Sequence, residues 1–498
     1  MKTKRLSFGG LLITTVTFWL LGFAPASAQT LYYNRAGNPG WFGTTPWGNN
    51  TASGPFDTTW VDGRVADFGT GTGGNLDVAI AGSNVAVAGL TTSGTQVVRI
   101  NSGGTLQTVT FSGGSLNGNF NFNNRATVTG NLTVASGTTT FATIGTASAY
   151  SGTATVGGSG ELSVTDAARL SALTDITVQS GGRFSLATGG SSTMGNLNLT
   201  GNGPSSTGAL RLGDNTSSSG SSLSVGTLNG TGLIAVRPNA NAALHALTVN
   251  GSGDSIFSGN INATGTSATM SLTKSGAGNL TLSGDLAGFT RTTTVEGGRL
   301  LINSTTTSLG DSSGTTAINV IGTGLLGGNG TITTLAGDNV VIGSGGSLAA
   351  GLMNGTAGTT TYALGTGSEL DISAATSGIG WLKFELGALT TPGTTYDQIL
   401  LSSGTLEIGA NLLNFADFQF TALSGFEAGV YTLFDNAALS GDLAGSGLAG
   451  VIGGFDAVLS VSGSDIILTT SVIPEPSTMA SLMAGMGALA LLRRRRAA

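Results

Sequence analysis

His245, in Ala242-Ala-Leu-His245-Ala-Leu-Thr, is the only histidine in the chain. A Ser–His–Asp hydrolase would have to use it. Its neighbours read as strand, so a structural role is expected. Gly69-Thr-Gly71-Thr-Gly-Gly74 has the Gly-x-Gly-x-x-Gly spacing of a nucleotide loop. That loop works only between a strand and a helix, and the sequence after it has no helical pattern. Gly73-Gly74-Asn-Leu-Asp77 is close to a calcium-binding turn but occurs once and lacks the fourth-position glycine. With no cysteine, a thiol nucleophile, a disulfide and a Cys-based zinc site are excluded. Carboxylate chemistry remains, because 25 Asp and Glu residues are present. On a β-helix such groups, with Arg or Lys, could line a groove and cleave polysaccharide as a lyase or glycosidase. Against this, Asp285, Asp311 and Asp338 each follow a glycine, where Asp serves the turn. The reading is therefore no enzyme, no catalytic residue, no metal site and no cofactor, with the polysaccharide enzyme as the alternative.

The composition narrows the class further. Of 498 residues, 84 are glycine and 9% are charged, against roughly 25% in ordinary soluble proteins. Nine prolines and no every-third glycine exclude collagen. A net charge of −6 is the wrong sign for phosphate, so nucleic acid is not an expected partner. The 39% hydrophobic content argues against wholesale disorder.

The elements that must position any site are short strands. Asn131-Leu-Thr-Val134, Glu161-Leu-Ser-Val164 and Asp175-Ile-Thr-Val178 alternate with period two, between runs of Gly, Asn, Ser and Thr. An apolar residue shortly after glycine recurs at Phe141, Leu162, Phe184 and Leu210, then at Leu280, Leu300, Leu325, Leu348 and Leu370. Repeats in the twenties indicate a solenoid. The expected fold is all-β, a right-handed parallel β-helix over 69–472. Roughly twenty coils spaced about 4.8 Å apart would make a rod on the order of 100 Å long. Ladders of Thr, Ser and Asn are expected outside. Residues 29–68, with Trp41, Trp47 and Trp60, read as a cap over the first coil. An aromatic sugar-binding patch is the alternative there.

The two ends read as addresses. Residues 1–28 form an expected signal peptide: Lys2, Lys4 and Arg5, an apolar run from Leu11 to Phe23, then Ala26-Ser-Ala28 before Gln29. The expected partners are the Sec export machinery and signal peptidase, cutting between Ala28 and Gln29. The other end, 473–498, holds Pro474-Glu475-Pro476, an uncharged segment 477–492, and Arg493-Arg494-Arg495-Arg496. That segment reads as a transmembrane helix with the arginines as a cytoplasmic stop. Loss of three basic residues with the leader and four with the tail leaves 12 basic against 25 acidic residues, a net charge near −13.

This C-terminal order resembles the PEP-CTERM sorting signal of Gram-negative bacteria. The resemblance implies an exosortase-like membrane enzyme as partner, and a place in the envelope, exopolysaccharide and biofilm matrix. A second stretch, 272–303, resembles an autotransporter-associated β-strand repeat. It runs Leu272-Thr-Lys-Ser-Gly-Ala-Gly-Asn-Leu280-Thr-Leu-Ser-Gly284, then Thr292-Thr-Thr-Val-Glu-Gly-Gly-Arg-Leu300. Phe289 stands where that repeat has a tyrosine-glycine. Tyr396-Asp-Gln-Ile-Leu400 is looser kin. The chain has no run of long aromatic-girdled strands for an outer-membrane barrel. The expectation is an exported structural or adhesive protein. It would be held at the inner membrane before processing, then reach the cell surface or matrix, with exopolysaccharide as a further partner.

Overall fold

The computed structural model describes residues 29–473 with short interruptions, the longest at 34–40, 49–59, 142–149 and 166–172, and residues 483–489, 492, 493 and 495. The chain is mostly β. Its described strands form two sheets, one of 32 strands paired almost entirely in parallel, and one of eight that is parallel on one side and antiparallel on the other. In the parallel parts each strand pairs with one about a coil further along the chain. This long parallel-strand sheet is consistent with a β-helix or solenoid.

Alternation explains why these segments stack. In the strand Asn279–Leu282 the second and fourth residues are buried, and the first and third are half-buried. The inward residues of successive coils then meet in columns. One column runs Val78, Ile100, Phe122, Phe141, Val164, Leu186, Leu212 and Val236. A second runs Leu280, Leu300, Leu326, Leu348, Leu382 and Phe418. Each full burial of a Leu, Val or Phe side chain contributes about 1.5–3 kcal/mol before chain entropy is counted. Ring stacking adds to the first column, where Phe122 and Phe141 lie 5.4 Å apart.

Corners are fixed by a second device. An Asn or Asp side chain accepts a backbone N–H from the following coil: Asn84 from Thr108 at 2.9 Å, Asn229 from Ile256 at 2.8 Å, Asp254 from Asn279 at 2.9 Å, and Asn303 from Asn329 at 3.0 Å. A short polar side chain thereby replaces a ladder bond where the chain bends. Glycine is required where corners stack most closely. Gly152 has φ +132°, and a Cβ there would collide with the Gly130 carbonyl oxygen.

Both ends of the stack depart from the pattern of its middle. At the first coil the strand Thr30–Tyr33 pairs in parallel with Arg64–Gly71. Tyr33, Trp41, Trp47, Trp60 and Phe68 pack ring to ring there, with the Trp41–Trp47 centroids 5.1 Å apart. Trp41 and Trp47 are fully buried, so neither offers a ring face to a sugar. The cluster is packing, and the sugar-patch alternative for these two rings is set aside.

At the other end, within the range expected for the repeat body, the pairing changes. Gly429–Asn436 pairs antiparallel with Asp465–Val472, which pairs antiparallel with Phe455–Ser462, and that strand with Ala449–Ile452. Gly453 and Gly454 both have positive φ, the requirement of a two-residue hairpin loop. Among the described residues, no helix is long and apolar enough to cross a membrane. Residues 483–489 are helical and exposed, and the rest of 477–492 lies outside the described residues, except Leu492.

Candidate functional site

The sequence-predicted processing residues are largely outside the described residues. This holds for Ala26 and Ala28, for Pro474, Glu475 and Pro476, and for Arg494 and Arg496. Gln29 is exposed, and its carbonyl accepts the Val65 N–H at 3.1 Å, so it opens the first coil. Arg493 and Arg495 are helical and exposed.

His245 is fully buried at the start of the strand His245–Val249. Its Nδ1 accepts the Ser221 N–H at 3.0 Å, which places the proton on Nε2, 3.1 Å from the Arg237 carbonyl. Both ring nitrogens are committed to backbone across a coil, and the imidazole has no path to a substrate. Gly69 and Gly71 belong to the strand Arg64–Gly71, and the next described element is another strand, Asn75–Ala79. A nucleotide loop needs a helix in that place. Asp77 pairs with Arg99, and its other oxygen accepts from Asn101 at 3.2 Å, so both oxygens already have partners. Asp285 accepts the Ala287 N–H at 3.0 Å, the expected turn use. Asp338 is fully buried and its N–H donates to the Leu335 carbonyl at 3.1 Å. Asp311 lies outside the described residues.

Two groupings of charge are not legible in the sequence, because pairing across coils cannot be read from spacing alone. Glu161 sits between Arg183 at 2.5 Å and Arg211 at 3.1 Å, and the Ser185 hydroxyl donates to it at 2.7 Å. Burial works to raise its pKa; Ser185 and the two guanidiniums outweigh that and hold it below the ordinary carboxylate range. A glycosidase needs a second carboxylate, and none is part of this group. The arrangement ties three coils together.

The other grouping is Asp397 with Glu385. Asp397 is fully buried and accepts the N–H groups of Gly358 and Glu385, each at 2.7 Å. Glu385 accepts the Gly355 N–H at 2.8 Å, and its second oxygen is buried without a partner. Burial pushes Asp397 up to about 7; the two N–H donors oppose the rise, and the nearby Glu385 charge adds to it. This pair pins the turn around 351–358 to the coil beneath. Among the described residues, no three His, Asp or Glu side chains gather as a metal site.

The outer surface is more informative than any charged pair. Asn131 and Thr153 hydrogen-bond at 3.0 Å, Asp175 and Asn196 at 2.6 Å, Asn196 and Thr227 at 2.7 Å, and Thr110 and Thr129 at 2.9 Å. Along the coil axis these make mostly neutral polar ladders, in keeping with the Thr, Ser and Asn content. Beside them, residues of three successive coils surround a hollow of about 400 Å³, lined by Asn202, Thr231, Leu233, Ser258, Asn260 and Asn262 among others. Strand periodicity does not single it out. Its sequence signal is a recurring Ser/Thr-Gly pair at Thr200-Gly201, Thr231-Gly232, Ser258-Gly259 and Ser283-Gly284. No family model matches the chain, and no curated protein matches it.

Proposed function

We propose that this chain is an exported surface protein with a structural or adhesive role, sorted through a PEP-CTERM signal into the envelope, matrix or biofilm. In this reading the body is a right-handed parallel β-helix of the passenger type, related to autotransporter-associated repeats. Signal peptidase cuts before Gln29. The segment 477–492 crosses the inner membrane until an exosortase-like enzyme acts at Pro474–Pro476.

One observation carries the reading. Pro474-Glu475-Pro476, an uncharged stretch and four arginines come in order directly after the last strand, which ends at Val472. Paired Thr and Asn ladders on the outside support a role exerted by shape and a multivalent polar surface. Deletion of 474–498 tests it in a Gram-negative host with an exosortase. The full chain reaches the surface fraction, and the truncated chain accumulates as soluble periplasmic protein. Equal distribution of the two would refute sorting by this tail.

The second reading, a polysaccharide-acting enzyme, has the Glu161, Arg183 and Arg211 group in its favour. It requires release of oligosaccharide from an exopolysaccharide, abolished by Glu161→Gln.

A further inference from the structure

In the coils before the hollow several polar side chains satisfy one another across coils, as Asn131 and Thr153 do at 3.0 Å and Asn196 and Thr227 at 2.7 Å. Around the hollow at Asn202 this pairing stops. Asn202, Thr231, Ser258 and Asn262 make no side-chain hydrogen bond to any described residue, and all but the half-buried Asn262 are exposed. Asn260 commits only its carbonyl oxygen, to the Asp285 N–H at 3.0 Å.

Glycine is the reason the hollow exists. A Cβ on Gly232 would meet the Gly201 carbonyl oxygen at 2.6 Å, and one on Gly259 would collide with the Gly232 carbonyl. The corners therefore stack backbone on backbone, and no described side chain fills the space beside them. The resulting 400 Å³ falls within the range of ligand sites. Its lining holds amides, hydroxyls and one half-buried apolar side chain, Leu233, and carries no charge.

We propose that this hollow binds a neutral, hydroxyl-rich chain, an oligosaccharide lying along the coil axis. Each amide and hydroxyl can both donate and accept, as sugar hydroxyls require. Leu233 offers an apolar spot for the C–H face of a ring. Thr231 and Ser258 stand level on successive coils, so they present hydroxyls at the coil spacing of about 4.8 Å to a ligand that is itself periodic, and Asn202 reaches the hollow from the coil before them. The uncharged lining, in a chain of net charge −6, gives a phosphate or uronate nothing to pair with.

The inference gives the exopolysaccharide partner of the proposed function a place, and rests on that reading for the ligand's source alone. The test is calorimetric titration of the full-length chain in detergent. The probes are cellohexaose, maltohexaose and laminarihexaose, with hexagalacturonate as the charged control and a neutral Gly-Ser peptide as the non-sugar control. At least one neutral hexasaccharide binds, and raised salt leaves its affinity unchanged. Asn202→Ala with Asn262→Ala weakens it about tenfold or more, as loss of two hydrogen-bonding groups requires. Ser258→Tyr, which fills the hollow from an exposed position, weakens it likewise. Thr153→Ala, on a paired ladder, does not. Unchanged circular dichroism separates these losses from misfolding. The proposal fails if no neutral hexasaccharide binds, if hexagalacturonate or the peptide is preferred, or if the variants bind like the parent. Failure here with correct surface sorting leaves the sorting reading intact, and binding in a chain that is mis-sorted does the reverse.

Discussion

Lys274 stands in register with Val295 of the next coil and Val249 of the previous one, inside an apolar column. Met194, Val225, Val320 and Ile342 continue that column. Lys274 is 1% exposed. Its ammonium group donates to the Gly276 carbonyl, and to the Gly297 carbonyl at 3.2 Å. Burial lowers its pKa, and the charge of Asp254 opposes the shift. The lysine thus ties two glycine corners from within. Lys274→Met keeps the stem and strips both carbonyls of their donor. The expected loss is about 1–3 kcal/mol, read by urea unfolding. An unchanged midpoint would mean that water replaces the ammonium.

Much of the register was legible, and its errors are instructive. Leu162, Phe184 and Leu210 share a column, as their spacing predicts, and so do Leu280, Leu300 and Leu348. Phe141 belongs to the neighbouring column, opposite Val164. Leu326, not Leu325, continues the leucine column, because in a Leu-Leu pair either residue can face inward and one step reverses the face. Leu325 instead packs with Leu301 and Ala349 in a small separate cluster. Leu370 aligns with Val340 and Leu406, on a different set of strands, where the turns around 351–358 lengthen the coil. Lys274 reads as a turn residue in sequence and closes the strand Met270–Lys274. The candidate site was less legible. Cross-coil neighbours, whether an ion pair such as Glu161 with Arg211 or residues that line one hollow such as Asn202 and Asn260, lie too far apart in the chain for spacing to reveal.

Asp397 makes stability depend on pH. Its folded-state pKa, raised to about 7, means the fold favours the protonated acid. Its contribution is full below the ordinary Asp range and is lost as pH rises through 7. Urea unfolding is expected to show about 2–3 kcal/mol less stability at pH 8 than at pH 5 from this group. Asp397→Asn removes that slope while leaving one of the Gly358 and Glu385 N–H groups unpaired. A pH-independent parent would contradict the assignment.

Glu161 acts in the opposite direction and in another window. Its pKa is lowered in the fold, so its contribution is present above the ordinary carboxylate range and is lost as pH falls through its folded value. Glu161→Gln is expected to lose about 1–3 kcal/mol at neutral pH, with Arg183 and Arg211 left short of a counter-charge. The difference from the parent shrinks in acid. A double-mutant cycle with Arg211→Met checks that the effect runs through the pair.

His245→Ala is expected to destabilise without touching export. It leaves the Ser221 N–H and the Arg237 carbonyl without their ring partner and opens a void beside Gly213, whose Cβ would sit 2.8 Å from Nε2. The loss is about 2–4 kcal/mol by thermal or urea unfolding. Full stability combined with loss of a hydrolytic activity would overturn the structural assignment.

The central claim is that the rod is delivered outside and released by its tail. Intact mass of the chain, tagged near Ser205 and recovered from each cell fraction, tests it most directly. The account predicts a surface species that begins at Gln29, ends near Pro476 and lacks Arg493–Arg496. A chain that keeps Arg493–Arg496 and stays in the inner membrane would contradict it.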